Sequence, residues 1–312
     1  MIDVRRLRVL HHLATYGTVA AVADVLHLTA PAVSQQLAVL EREAGVPVVE
    51  KSGRTLRLTR AGELLAAHAE VVLADLAAAE AELAALRGGQ HGEVRVAAFA
   101  SAARTLLPAV WAQIGDEPVA GGGVQLRLVE QEPDAALGSL RRREADLAVV
   151  HGYSVLPREF PPGCDHEFLM HDPVVLLLHP EAATRLGVAG GEPVDLARFA
   201  RAAWLSPGPE TSCYEMIQRA CGAAGFVPGI RARSSDFSVL TALVAAGAGV
   251  ALAPRLALPP EAVHLSVHPL DKPVARTIFH VVRDGTARRP DIRHVIDLLQ
   301  LSAAARSELK TA

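Results

Sequence analysis

The sequence has 312 residues, is 50% hydrophobic, and carries a formal net charge of −3. That length allows two or three compact units with a sizeable core, and the overall charge gives no indication of a nucleic-acid partner. The three cysteines are too few and too scattered for a disulfide framework. The N-terminus has no apolar segment followed by a cleavage site, which argues against secretion. No uncharged run approaches the ~18 residues needed to span a membrane. We therefore expect a cytoplasmic protein with no membrane partner.

The charges are unevenly distributed along the chain. Residues 1–62 contain eight Lys and Arg against five Asp and Glu, whereas residues 63–87 contain one against five. The remainder is nearly balanced. A basic N-terminal unit therefore precedes an acidic segment and a neutral body, which favours an anionic partner for the N-terminal unit.

The N-terminal unit begins with the pattern of three short helices. Thr18 and Thr29 are predicted N-cap residues, and Gly17 and Gly45 are predicted to end the first and third helices. The first helix carries two adjacent histidines, 11 and 12, which we interpret as surface or partly buried positions. Their side chains point about 100° apart and cannot bind one metal ion together.

The third helix has the pattern of a DNA-recognition helix. Its apolar positions recur at spacings of four and three and share one face: Val33, Leu37, Leu40 and Ala44. Ser34 and Gln35 face the other way, and Pro31 occupies the first turn, where its missing N–H costs little. Four basic residues then surround the turn at residues 52 and 53, with no acid among them: Lys51, Arg54, Arg57 and Arg60. They predict a wing that neutralises DNA phosphates.

This stretch resembles the N-terminal domain of the LysR-type transcriptional regulators. The resemblance rests on Leu7, Leu10, Thr18, Ala21, Leu26, Thr29, Pro31, Ala32, Val33, Ser34, Leu40, Glu41, Gly45, Arg54, Leu58, Thr59 and Gly62. Two positions depart from the family pattern: Ala30 stands where Gln is common, and Val49-Glu50-Lys51 replaces Phe-x-Arg. The resemblance implies double-stranded DNA as a partner and these contact residues: Thr29, Ala30, Pro31, Ala32, Ser34, Gln35, Lys51, Arg54 and Arg57.

Residues 63–88 have the pattern of a dimerising helix. Their apolar positions repeat as a heptad seam: Leu65, Ala69, Val72, Leu76, Ala79, Leu83 and Leu86. An alanine-rich helix that merely covers a domain is the alternative. Because the segment follows a DNA-binding unit, we favour dimerisation through Leu65, Val72, Leu76, Leu83 and Leu86, which would present two heads to two half-sites. In the LysR family this linker helix dimerises, and we expect a homodimer or homotetramer.

The rest of the chain alternates predicted strands and helices, which indicates α/β units. We divide it into lobe I, residues 89–163 and 269–312, and lobe II, residues 164–268, with residues 157–163 as a crossing point. Two such lobes form the architecture of periplasmic solute-binding proteins. The LysR effector domain has the same fold. The predicted fold is therefore α/β, with an all-α winged helix-turn-helix N-terminal domain and a two-lobed, periplasmic-binding-protein-like C-terminal effector domain.

Polar residues at predicted strand ends and helix starts are the candidate effector contacts. They are Ser101, Ala102, His151, Ser206, Thr211, Ser212, Asp236 and Phe237. Each could instead serve as a helix cap; their resemblance to family effector positions favours binding. We expect a small polar or acidic metabolite, no resident cofactor or metal, and RNA polymerase as a candidate further partner.

Four other functions are alternatives. Catalysis is disfavoured because Ser101, His151 and Asp236 lack a nucleophile-elbow motif, and the glycine-rich runs lack phosphate-loop or dinucleotide patterns. A soft-metal sensor would use the residues near two predicted crossings: Cys164, His166, His171, His264 and His268. A redox switch would use Cys213 and Cys221, which are about 12 Å apart by helix rise and thus beyond disulfide reach without unfolding. A ligand-binding protein without DNA output is also an alternative.

Overall fold

The computed structural model describes residues 1–52, 55–86, 92–114 and 123–308. The head contains three helices and a two-stranded antiparallel wing: α1 (Val4–Tyr16), α2 (Val19–Leu26), α3 (Ala30–Ala44), β1 (Val49–Ser52) and β2 (Thr55–Leu58). The predicted caps are confirmed, because the Thr18 and Thr29 hydroxyls accept hydrogen bonds from backbone N–H groups at 3.2 and 3.3 Å. Gly17 and Gly45 end their helices at φ +73°, a conformation that favours glycine.

One long helix, α4 (Arg60–Leu86), leaves the head. Its first turns complete the hydrophobic core of the head, where Ala66 and Ala69 are buried and Leu65 packs against them. Leu65 is thus partly buried within the chain, and its place in a dimer seam stays a prediction. Further along, Leu73 and Ala74 are also buried.

The body is built on one continuous sheet. Its strands are β3 (Gly92–Ala98), β4 (Val124–Glu130), β5 (Leu147–Tyr153), β6 (Cys164–Leu178), β7 (Ala203–Ser206), β8 (Gly229–Arg233), β9 (Val250–Pro254), β10 (Ser266–Pro269) and β11 (Ala275–Arg283). Their order is β4-β3-β5-β11-β6-β9-β7-β8, and β10 also pairs with β6. The helices are α5 (Ala100–Thr105), α6 (Leu107–Ile114), α7 (Pro133–Arg141), α8 (Pro180–Arg185), α9 (Ser212–Ala223), α10 (Phe237–Ala245) and α11 (Pro290–Glu308).

The strand β6 corrects the predicted lobe boundary. Its first half pairs with β11 in lobe I, as far as Pro173, and its second half pairs with β9 in lobe II from Val174 onward. The chain therefore crosses between lobes inside one strand, near residue 173, and residues 157–163 lead back to the start of β6 rather than across. The predicted return of the chain to lobe I through the strand before the C-terminal helix is confirmed by the pairing of β11 with β5.

Each lobe has its own core. In lobe I, β3, β5 and β11 pack against α6 and α11, whereas in lobe II the second half of β6 packs against α9 and α10. Within the described part of the chain, no helix is both long enough and apolar enough to cross a membrane. The predicted fold class, a winged head followed by a two-lobed α/β body, is confirmed.

Candidate DNA-binding and effector sites

The predicted base-contacting residues lie on the exposed face of α3. Its other face is buried through Val33, Leu37 and Leu40, which leaves this set on the surface: Thr29, Ala30, Pro31, Ser34 and Gln35, with Ala32 half-buried. The Thr29 hydroxyl is occupied as the helix cap. Small and polar side chains on an exposed helix of this kind allow close approach to base edges in a major groove.

The wing is held to α3 by a carboxylate. Oε1 of Glu41 accepts hydrogen bonds from the backbone N–H groups of Val48 and Val49, at 3.0 and 3.1 Å. Lys51 and Arg57 are exposed on the wing. Arg57 lies directly opposite Glu50 in the strand register, so the wing carries an acid that partly offsets its positive charge. Arg54 lies outside the described residues.

The linker helix α4 leaves an apolar stripe uncovered. Val72, Leu76 and Leu83 are 39%, 41% and 54% exposed. Their spacings of four and seven place them on one face, as the heptad pattern predicts. The side chain of Leu86, the last predicted dimerisation residue, lies outside the described part. The stripe thus remains largely exposed among the residues that the structure describes.

A cleft of about 390 Å³ separates the two lobes. Three of the predicted effector residues line it: His151 from β5, and Thr211 and Ser212 at the start of α9. His151 is buried between the rings of two neighbours and its Nδ1 has no hydrogen-bond partner. Burial holds the pKa of His151 well below its usual range, so the imidazole is neutral at physiological pH.

Ser101 lies behind this cleft in a buried polar cluster that the sequence did not reveal. The guanidinium of Arg276, which is 3% exposed, donates to Oδ2 of Asp172 at 2.7 and 3.2 Å and to the Ser101 hydroxyl at 2.9 Å. Oδ1 of Asp172 accepts from the backbone N–H of Leu256 in lobe II at 3.0 Å. The Asp172–Arg276 ion pair, on strands β6 and β11 of lobe I, is therefore joined to lobe II through the Leu256 N–H.

The remaining predicted effector residues do not line the cleft. Ala102 and Ser206 are buried, and the Ser206 hydroxyl donates to the next carbonyl at 3.0 Å. Asp236 caps α10, because its Oδ1 accepts from the Ser238 N–H at 2.8 Å; hydrogen bonds from Ser238 lower its pKa. Phe237 packs against the lobe II core. The capping role that the sequence left open for Asp236 is therefore present, and its effector contact stays a prediction.

The proposed thiol and metal sensors find no support in the geometry. Cys213 and Cys221 are buried on α9, and burial raises their pKa to about 11 and about 12, which suppresses the thiolate needed for reaction. Across residues 1–52, 55–86, 92–114 and 123–308, no three His, Cys, Asp or Glu side chains are grouped to hold a metal ion. His268 instead bonds Ser266 at 2.7 Å, and His166 stacks on Phe160.

The head is docked on lobe I through a buried contact that sequence reasoning missed. Arg143 places Nη2 2.6 Å and Nε 3.2 Å from Nε2 of His11, and His11 Nδ1 lies 3.8 Å from the Glu70 carboxylate on α4. Burial, with Arg143 nearby, lowers the pKa of His11 to about 3. His12 is buried as well. The interpretation of these histidines as surface or partly buried positions is therefore corrected: both are buried, and Arg143 of lobe I contacts His11.

Comparisons with known proteins agree with this two-part architecture. A family model described as LysR substrate binding domain matches residues 87–304, and one described as bacterial regulatory helix-turn-helix protein, lysR family, matches residues 4–63. The chain belongs to the LysR family. It is a transcriptional regulator with a DNA-binding head and an effector-binding body, and regulators of this family form oligomers.

Individual LysR-family proteins match nearly the full length. The probable HTH-type transcriptional regulator LrrA of Synechococcus elongatus is 27% identical over 303 residues, covering 96% of this chain and 97% of its own. Full-length LysG from Corynebacterium glutamicum, solved with bound effector Arg, aligns with a TM-score of 0.64 at 20% identity, over 97% of this chain and 99% of that one. ArgP from Mycobacterium tuberculosis aligns with a TM-score of 0.63 at 23% identity, over 97% and 98%.

Proposed function

We propose that this LysR-family chain reads DNA with α3 and grips the backbone with its wing. The exposed polar face of α3 carries the proposal: Pro31, Ser34 and Gln35 would face base edges in the major groove. Lys51 and Arg57 would contact phosphates, and so would Arg54. Glu41 supports the assignment because it holds the wing at a set position beside α3.

A binding assay on DNA that the protein itself selects from a random pool tests these roles. Lys51→Ala and Arg57→Ala should weaken binding to all sequences and each reduce the salt slope by about one. Gln35→Ala should relax preference at one position, at a cost of about 1–3 kcal/mol. Arg185→Ala removes an exposed cation on α8 and should leave affinity and salt slope unchanged. Wild-type affinity and slope in the Lys51 and Arg57 variants would refute the wing assignment.

We further propose that two heads are joined through the uncovered stripe on α4. Leu76→Glu should convert a dimer or tetramer to a smaller species in light scattering, because it places a charge in an apolar helix seam. Leu186→Glu is the matched control, since Leu186 is also 41% exposed but follows α8 in lobe II. An unchanged mass for Leu76→Glu would exclude this seam as the interface.

The effector is proposed to bind in the cleft between the lobes, where His151, Thr211 and Ser212 meet. The volume suits a small metabolite. In this proposal the chain acts in the cytoplasm, performs no catalysis, and alters transcription by changing the arrangement of its heads, with RNA polymerase as a candidate partner. A pure-protein assay that detects turnover of a bound ligand without DNA would contradict it.

A further inference from the structure

The cleft between the lobes has an acidic lining. Four carboxylates and one guanidinium line it: Asp134, Glu159, Glu210, Glu215 and Arg158. Arg158 forms an ion pair with Asp134, so the one cation is already matched. The lining therefore keeps an excess of negative charge, which raises the local concentration of cations.

Two arginines near the cleft are already paired with other groups of the chain. Arg276, behind the cleft, is held by Asp172 and Ser101. Arg219, on α9, binds Glu215 at 2.7 Å. An acidic ligand in the cleft would therefore find these two guanidinium groups already occupied, and desolvating an unpaired carboxylate is costly.

Two of the carboxylates lack a cationic partner. Glu159 forms no hydrogen bond or ion pair with any residue that the structure describes, and Glu210 receives only a long contact, 3.4 Å, from the Ser235 hydroxyl. They come from opposite lobes: Glu159 from the segment after β5 and Glu210 from the loop before α9. A cation between them would contact both lobes at once.

Unused polar atoms lie beside these acids. His151 is 3% exposed and lines the cleft, yet its Nδ1 has no partner; the buried hydroxyl oxygen of Ser212 has none either. Most buried polar atoms in proteins are hydrogen-bonded, so the unused bonding capacity of these two atoms points to a ligand. The N-terminus of α9 alone would favour an anion, but Glu215 in its first turn offsets that dipole.

We propose that the effector of this regulator carries a cationic group, a protonated amine or guanidinium, held between Glu159 and Glu210, with His151 and Ser212 bonding its polar part. The inference rests on the proposed function of the cleft as the effector site. It replaces the expectation of an acidic metabolite, because the cleft is lined by an excess of carboxylates. These carboxylates come from residues far apart in sequence, so the sequence alone did not indicate them.

Calorimetric titration of the full-length protein with two five-carbon probes of opposite charge tests this inference. Cadaverine, a diamine, should bind and glutarate should not. In the Glu159→Gln, Glu210→Gln double variant, cadaverine affinity should fall about tenfold, equivalent to about 1.4 kcal/mol. Ser212→Ala should also weaken cadaverine binding. Glu181→Gln removes an exposed acid on α8 and should leave it unchanged.

Preferential binding of glutarate, failure of cadaverine to bind, or equal cadaverine affinity in the double variant would each overturn the charge assignment. Glutarate binding that Ser212→Ala abolishes would keep the cleft as effector site while refuting the cationic class. The proposed regulatory function is tested independently: it would be refuted if the same protein preparations selected no DNA sequence.

Discussion

Replacing Asp172 by Asn tests whether a buried ion pair holds the junction of the lobes. Asp172 is 0% and Arg276 3% exposed, and they meet where β6 passes from lobe I to lobe II. Breaking a buried pair costs about 3–5 kcal/mol because the other charge stays buried without compensation. Asn has nearly the size of Asp and can still accept a hydrogen bond from the Leu256 N–H. We therefore expect Asp172→Asn to lower the free energy of unfolding by the lower limit of that range, about 3 kcal/mol.

Urea unfolding followed by the fluorescence of Trp204, which is fully buried in lobe II, measures this cost. Arg276→Met should cost a similar amount, because it leaves the carboxylate unpaired. The double variant should lose less than the sum of the single variants, by about 0.5–3 kcal/mol. Asp75→Asn breaks an exposed pair with Arg288 and should cost at most about 1 kcal/mol. A cost for Asp172→Asn below about 1 kcal/mol, or additive single variants, would refute the reasoning.

Three further predictions concern the head. Because burial holds the pKa of His11 at about 3 against about 6.5 unfolded, the folded state favours the neutral form, and stability is lost as pH falls from 6.5 toward 3. His11→Gln should therefore reduce the stability difference between pH 7 and pH 5 by about 2 kcal/mol in urea unfolding; an unchanged pH dependence would show that His11 is protonated when folded. Gly62→Ala would place a Cβ against the Val48 carbonyl oxygen and should lower the stability of the head by about 1–3 kcal/mol, which a lower melting temperature would show. The Cβ of Gly222→Ala meets no atom within 4 Å, so that variant should be tolerated. Glu41→Ala should weaken DNA binding without altering base preference, because it frees the wing; wild-type affinity in a gel-shift assay would contradict that role.

Sequence reasoning worked where structure depends on neighbouring residues. The helices of the head follow from caps at Thr18 and Thr29 and from apolar spacings of three and four, which act within a few residues. The strand β6 shows where it failed. Its first half is largely exposed and polar and its second half is a buried apolar run, so one continuous strand has two unrelated patterns, and only the second half was predicted.

The cleft between the lobes marks the same limit. His151, Thr211 and Ser212, which line it, are predicted from sequence because strand ends and helix starts are recognisable locally. Glu159 and Glu210 carry no local signal, since each is an ordinary loop acid until the two lobes bring them to one cleft.

The sequence by itself determined the winged head, the stripe on α4 and the two-lobed α/β body, because periodicity, capping and a family pattern are encoded over short stretches. The tertiary structure alone decided that Arg276 is neutralised by Asp172, that lobe I buries His11, and that the cleft is acidic. Charge pairing and burial depend on which distant segments meet, and the separation of 104 residues between Asp172 and Arg276 leaves no trace in any local pattern.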